Sequence, residues 1–255
     1  MNVIITGANQ GIGFFLVDQL LKDGNRVAVL DLETENLEIL KSQYEELLLY
    51  FTVDVRNQEE LNAAVSQAAA KFLSVDAAIH NACKCTFAAE ADTDLDTYRD
   101  VMDVNYFGAL RLTKSVLPYM IKQNKGRIIF TSSGVGVMGF TRISPYASSK
   151  GAIESLAKCL NIEYAKNNIS FHIFHPPLTR TKSAKPLPVP EEFMALPETV
   201  GIGLAKQMNS RHFMICHSWG QRVQTLICYL FPLKMGNLMS KMTDRYENLP
   251  GDQKK

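Results

Sequence analysis

Asn2-Val3-Ile4-Ile5-Thr6-Gly7-Ala8-Asn9-Gln10-Gly11-Ile12-Gly13 opens the chain, and Leu16, Val17, Leu20 and Leu21 follow at helical spacing. An apolar, β-branched run, a glycine-rich turn and an apolar 3.6-residue period read as strand, turn and helix. In such a unit Gly7 permits the tight turn, Gly11 lets the backbone approach a pyrophosphate, and Gly13 lets the helix pack on the strand. The helix N-terminus then attracts phosphate charge. The first two glycines stand further apart than in the usual dinucleotide fingerprint, and a glycine turn alone also fits an ordinary loop.

The rest of the chain repeats the alternation. Apolar β-rich runs recur near 26–30, 47–53, 76–80, 127–131, 169–174 and 212–216, separated by helical patterns that include 57–72, 95–123 and about 145–167. The pattern predicts an α/β fold, a doubly wound parallel sheet of about seven strands with helices on both faces and ligands at the strand C-termini. A length of 255 residues suits one domain over 1–255. Within it, 1–181 carries the alternating strands and helices, 182–210 is a proline-rich connection, and 211–255 reads as a last strand with an amphipathic tail.

Composition narrows the function. A net charge of +1 gives no basic field for nucleic acid, and 46% hydrophobic residues contain no membrane-length run. The chain enters a strand at once, so a secretory signal is not expected, and five cysteines make no disulfide framework; a cytoplasmic location is expected. Cys83 and Cys85 are two apart and Cys216 neighbours His217, spacings that assemble no metal site. The five histidines lie in or beside apolar runs and read as structural.

Chemistry enters at Ser144-Pro145-Tyr146-Ala147-Ser148-Ser149-Lys150. A tyrosine and a lysine four apart on a helix share a face. A free phenol titrates near pH ~10, and a nearby ammonium favours phenolate, which makes the pair an acid–base catalyst. Tyr-x-x-x-Lys alone is common; its company here is Ser133 and the N-terminal glycine turn.

Taken in order, Thr6-Gly7-x-x-x-Gly11-Ile12-Gly13, Asn81-Ala82, Asn105 within Val104 to Gly108, Ser133, Tyr146 and Lys150 resemble the short-chain dehydrogenases/reductases over about the first three quarters of the chain. The resemblance implies hydride transfer between a nicotinamide cofactor and a secondary alcohol or ketone, with 1–181 as the cofactor and catalytic core and 182–210 as a substrate loop. Tyr146 would exchange the proton, Ser133 would hold the substrate oxygen, Lys150 would bind the nicotinamide ribose and lower the tyrosine pKa, and Asn105 would anchor a relay water. It implies cofactor contacts by Gly7, Asn9, Gln10, Gly11, Ile12, Gly13, Asp31, Leu32, Asp54, Val55, Asn81, Ala82, Cys83, Tyr146, Lys150, Pro176, Leu178 and Thr181.

Asp31, ending the second strand, can accept hydrogen bonds from ribose hydroxyls and repel a 2′-phosphate, and Asn9, Gln10 and Leu32 carry no charge. NAD is therefore expected rather than NADP. The chain departs from the family at Cys83, where glycine is usual, and at Pro176-Pro177, where Pro-Gly is usual. Both departures bear on the nicotinamide-side fit.

The last quarter also departs from the commonest family pattern. His212 to Cys216 leads into Val223 to Tyr246, with Met235, Leu238, Met239 and Met242 at helical spacing and Lys234, Lys241 and Arg245 off that stripe. Such a stripe can pack, line a greasy substrate entrance, touch a membrane surface or pair subunits. The expected protein is an NAD-dependent oxidoreductase of a small-molecule, lipid-like alcohol or ketone, assembled as a homo-dimer or homo-tetramer. The alternatives are an NADPH-preferring 3-oxoacyl or other ketone reductase, and a catalytically weak dinucleotide-binding regulatory protein.

Overall fold

The computed structural model describes residues 1–248, so residues 249–255 of the segment 211–255 lie outside the described residues. The strands are β1 (Asn2–Thr6), β2 (Arg26–Asp31), β3 (Leu48–Thr52), β4 (Ala77–His80), β5 (Gly126–Thr131), β6 (Ile169–Phe174) and β7 (Met214–Ile215). They form one parallel sheet in the order β3-β2-β1-β4-β5-β6-β7. The helices are α1 (Gly11–Lys22), α2 (Leu37–Gln43), α3 (Gln58–Phe72), α4 (Leu95–Met102), α5 (Gly108–Gln123), α6 (Val135–Met138), α7 (Ser144–Glu163), α8 (Pro197–Lys206), α9 (Trp219–Leu230) and α10 (Pro232–Glu247).

Strand alternation divides the core into two layers. Val3 and Ile5 pack with Leu16 and Leu20 of α1 and Val200 and Leu204 of α8. Ile4, pointing the other way, packs with Val65 of α3, Val116 of α5 and Ile153 of α7. Chain order reverses between β1 and β4, so their C-terminal ends, Thr6 and His80, border a crevice, where an open α/β sheet binds its ligands.

Helix ends follow local chemistry. The Asn57 side chain caps α3 by accepting the Glu59 and Glu60 amides, and Asn124 closes α5 in the left-handed region at φ 50°.

The long helical pattern of 95–123 is interrupted. Asp103–Phe107 forms a π turn between α4 and α5, centred on the buried side chain of Asn105. The tail pattern of 223–246 is likewise two helices rather than one. Pro232 excludes Phe231 from helical geometry, and its φ of −132° and ψ of 54° break the chain direction between α9 and α10. The helix expected over about 145–167 ends at Glu163, and a 3-10 turn covers Ala165–Asn167.

Candidate active site

A single cavity of about 850 Å³ runs along the C-terminal edge of the sheet, from Asp31 and Asp54 past Ser133, Tyr146 and Lys150 to Met235 and Met239 on α10. Gly7 and Gly11, at its floor, have φ of +67° and +63°. A Cβ on Gly7 would stand 2.3 Å from Ala82 Cα, and one on Gly13 would stand 2.6 Å from the Gly7 carbonyl oxygen. The first keeps β1 and β4 together at the crevice; the second holds α1 against the turn. Gln10, at the N-cap of α1, makes no side-chain cap bond, so the first amides of the helix are left for an anion. The residues present thus fit a dinucleotide phosphate.

Gln10, Ile12, Leu32, Val55 and Ala82 also line the groove. Asn9 does not: it is buried, and its side-chain oxygen accepts the Asn36 amide at 3.0 Å. Its own amide donates to Asp31 Oδ2 at 2.8 Å, so Asp31 braces the glycine turn while facing the cavity. Gly13 is likewise behind the groove wall rather than on it. Asp54 is held by the Arg56 guanidinium at 2.7 Å, and that bond keeps its carboxyl below the usual carboxylate range.

The β1, β4 and β5 ends are laced by side chains. Asn81 Nδ2 donates to the Gly7 carbonyl at 2.5 Å, and its Oδ1 accepts the Thr131 hydroxyl at 3.2 Å. Thr6 Oγ1 accepts the amides of Asn81 and Ala82. His80 Nε2 lies 3.1 Å from the Val104 carbonyl, which can only accept, so Nε2 carries the proton and Nδ1 accepts the Thr6 hydroxyl at 3.0 Å. Burial, helped by the charge of Lys150, pushes the His80 pKa down to about 3. This histidine is a neutral structural bridge.

Ser133, Tyr146 and Lys150 converge on the middle of the cavity. The Tyr146 hydroxyl meets the Ser133 hydroxyl and the Cys83 thiol. Burial first, and then the thiols of Cys83 and Cys85, hold the phenol pKa well above its ordinary value. This differs from the expectation of a lysine-lowered tyrosine. Lys150 Nζ is buried, donates to the Thr131 carbonyl at 2.7 Å and stands 5.4 Å from the Tyr146 ring centroid. Cys83 and Cys85 both line the cavity, Cys83 at the position where the family usually has glycine, and burial pushes the Cys85 thiol up to about 12.

Asn105 is turned into the protein. Its Oδ1 accepts the Lys84 amide at 2.8 Å, and its Nδ2 donates to the Lys84 carbonyl at 2.9 Å and to Ser149 Oγ at 2.8 Å. The π turn therefore fastens the Cys83–Cys85 loop to α7, and both amide protons are engaged. On the far side Pro176, Pro177, Leu178 and Thr181 line the cavity, with the Thr181 methyl 3.3 Å from where a Gly11 Cβ would be.

One group of residues at the site lay outside the sequence reading. Glu154, one turn beyond Lys150 on α7, is buried and accepts the Ser132 hydroxyl at 2.6 Å and lies 3.1 Å from His175 Nε2, while Tyr229 of α9 donates to its other oxygen. Burial works against its charge, yet these donors hold its pKa below the ordinary value. The network joins the neighbours of Ser133 and Pro176 to the tail. A glutamate four residues after Lys150, on the buried face, was the available signal.

The tail stripe walls the cavity. Met235, Leu238, Met239 and Met242 line its apolar end with Met138 and Phe140. α10 comes close because position 236 is glycine, where a Cβ would lie 2.4 Å from the Gly139 carbonyl oxygen. Ser240 accepts the Thr141 amide at 3.1 Å and Glu247 pairs with Arg142. Of the region 182–210, Lys182, Ser183, Ala184, Leu187, Val189 and Phe193 reach the cavity, whereas α8 packs on α1 through Gly201, 2.6 Å from the Ile12 carbonyl oxygen when given a Cβ. Among the described residues no helix is long and apolar enough to cross a membrane.

Comparison with known proteins gives consistent results. The family described as short chain dehydrogenase matches residues 1–191. A fatty acyl-CoA reductase of Acinetobacter baylyi is 34% identical over 190 residues, 72% of this chain and 64% of that protein. A 2-(R)-hydroxypropyl-CoM dehydrogenase of Xanthobacter autotrophicus is 32% identical over 186 residues, 70% of this chain and 74% of that protein. The match thus spans less than two thirds of the first relative's length. Among solved structures, a short-chain dehydrogenase from Streptomyces avermitilis superposes with a TM-score of 0.80 at 22% identity, covering 97% of this chain and 98% of that one.

Proposed function

Because this chain belongs to the short-chain dehydrogenase family, we propose that it is an NAD-dependent oxidoreductase that interconverts a secondary alcohol and a ketone carried on an apolar, lipid-like body. The observation that carries this reading is the continuity of one cavity from Asp31, through Ser133, Tyr146 and Lys150, to the methionines of α10. Bound NAD supplies or accepts the hydride at its nicotinamide ring. The amides at the start of α1 and the glycines of the turn bind its phosphates, and Asp31 takes the ribose hydroxyls of the adenosine end. Lys150 binds the other ribose, within reach of its position under Thr131.

The chain's own residues handle the proton. Ser133 donates a hydrogen bond to the substrate oxygen and orients it toward Tyr146, whose hydroxyl exchanges the proton with that oxygen. The protonated phenol is the form that donates to a ketone, and the phenolate the form that accepts from an alcohol. Met235, Leu238 and Met239 receive the apolar body of the substrate, unbranched or soft side chains that adapt to an alkyl chain.

Tyr146→Phe tests the assignment. It removes the hydroxyl alone, so turnover should fall by about 10²–10⁴ while NADH affinity, followed by fluorescence titration, stays close to wild type. Wild-type rates in this variant would sink the role of Tyr146. A wild-type protein that binds NADH but turns over no member of a panel of ketones and alcohols would instead favour a dinucleotide-binding regulatory protein, the reading that Cys83 against the tyrosine motivates.

A further inference from the structure

Helix α9 is amphipathic in the reverse sense. Gln221, Thr225 and Cys228 are its buried residues, with Gln221 Nε2 bonded to Thr225 Oγ1 at 3.3 Å, and all three line the cavity. Trp219, Val223, Leu226, Ile227 and Leu230, related by steps of three and four, form the outward stripe, with Trp219 80% and Leu230 71% exposed. The stripe continues into Phe231 and Leu233, the latter 77% exposed. A helix in water turns its polar side out; one that turns its apolar side out is built for an apolar surrounding.

Two further observations identify that surrounding. The first is charge. Arg222 lies three residues from Trp219 and four from Leu226, so it shares their face, and Lys234 Nζ stands 5.4 Å over the Phe231 ring. Lys241 and Arg245 follow Leu238 and Met242 by three residues each. Against these four cations the two helices carry only Asp244 and Glu247, and Glu247 is paired with Arg142. A two-fold pairing of this face with a second copy would set cations against cations, whereas an anionic lipid surface complements them.

The second is continuity with the site. Leu238 and Met242 line the cavity and are also 52% and 44% exposed, so the apolar end of the cavity opens beside the same helices. We propose that the outward face of α9 and the α9–α10 corner dock on an anionic lipid bilayer, with Trp219, Leu230 and Leu233 entering the headgroup–acyl boundary, so that an apolar substrate passes between lipid and cavity without crossing water. The passage rests on the lipid-like substrate of the proposed reaction; the docking does not.

The chain has one tryptophan, Trp219, which reports on the contact directly. The full chain is mixed with phosphatidylcholine vesicles, with and without phosphatidylserine, in the absence of cofactor and substrate. On phosphatidylserine vesicles Trp219 emission should shift to the blue and be quenched by acyl-brominated lipid, the protein should co-sediment, and both effects should weaken with salt. Lys234→Glu with Lys241→Glu should weaken binding about tenfold or more, and Leu230→Ser with Leu233→Ser should remove the quenching, with far-ultraviolet dichroism unchanged in both. An unshifted tryptophan with no co-sedimentation overturns the proposal. So does a blue shift in concentrated vesicle-free protein that sediments as a dimer and ignores lipid, which assigns the face to a second copy. Vesicle binding without ketone or alcohol turnover leaves the docking standing and removes the proposed reaction, and turnover without vesicle binding does the reverse.

Discussion

Asp31 braces the fold while facing the groove that the proposed function gives to the adenosine ribose. One oxygen accepts the Asn9 amide at 2.8 Å and so holds the glycine turn, while the side chain still lines the groove. Asp31→Asn separates the two roles, because an amide oxygen can keep the Asn9 contact without the charge. Exchanging a charged acceptor for a neutral one should weaken NADH binding by about 1.4 kcal/mol, or roughly tenfold, and narrow the discrimination against NADPH. Isothermal titration with both dinucleotides checks this, and a wild-type preference for NADPH would remove the proposed role. Asp31, Tyr146 and Lys150 were legible in the sequence because each is fixed by a local pattern, a strand end or one helical turn. The Glu154 network was not, since Ser132, His175 and Tyr229 reach it from three other segments and only folding brings them together.

Elements were legible wherever a period governs them. Each strand expected near 26–30, 47–53 or 169–174 overlaps an observed strand to within a residue or so at either end, because apolar runs, mostly buried on both faces in β2 and β6 and half-buried at the sheet edge in β3, leave little choice. The breaks were harder to see. The π turn at Asp103–Phe107 is stabilised by what Asn105 meets on Lys84 and Ser149, a tertiary cause with no local signature. The α9–α10 corner did carry a signal in Phe231-Pro232, which the continuous apolar spacing beyond it concealed. α10 depends on its one close approach at Gly236, and Gly236→Ala tests it. The added Cβ, 2.4 Å from a backbone oxygen, must push the helix away from Met138–Gly139, at a cost of about 1–3 kcal/mol in chemical denaturation. KM for long-chain ketones should rise, while KM for short ketones and affinity for NADH should change little, as the dinucleotide groove is built from β1, β2 and β4. An equal loss on short and long substrates would detach α10 from substrate selection.

For the whole molecule, the crevice between β1 and β4, which the proposed function assigns to the dinucleotide, is also a point of acid sensitivity. His80 ends β4 at full burial, neutral, with Nε2–H given to Val104 and Nδ1 taking the Thr6 proton. Burial disfavours the charged ring, and protonation would also place a second cation near Lys150, so folding holds the pKa at about 3, against an ordinary value of 6.5. The unfolded chain therefore binds this proton first as pH falls. The stabilising contribution of neutral His80 is fully present above pH 6.5 and is lost progressively between 6.5 and about 3. At pH 5 the loss from this one group amounts to roughly 2 kcal/mol. The carboxylates held low, Asp54 and Glu154, act on the same sign but in a more acid window, because their ordinary values are 3.8 and 4.5. Urea unfolding at pH 7 and pH 5 should thus show a lower midpoint at pH 5 in the wild type. His80→Asn, although less stable at both, should lose about 2 kcal/mol less on acidification, and an undiminished difference between the two pH values would place the acid sensitivity elsewhere in the molecule.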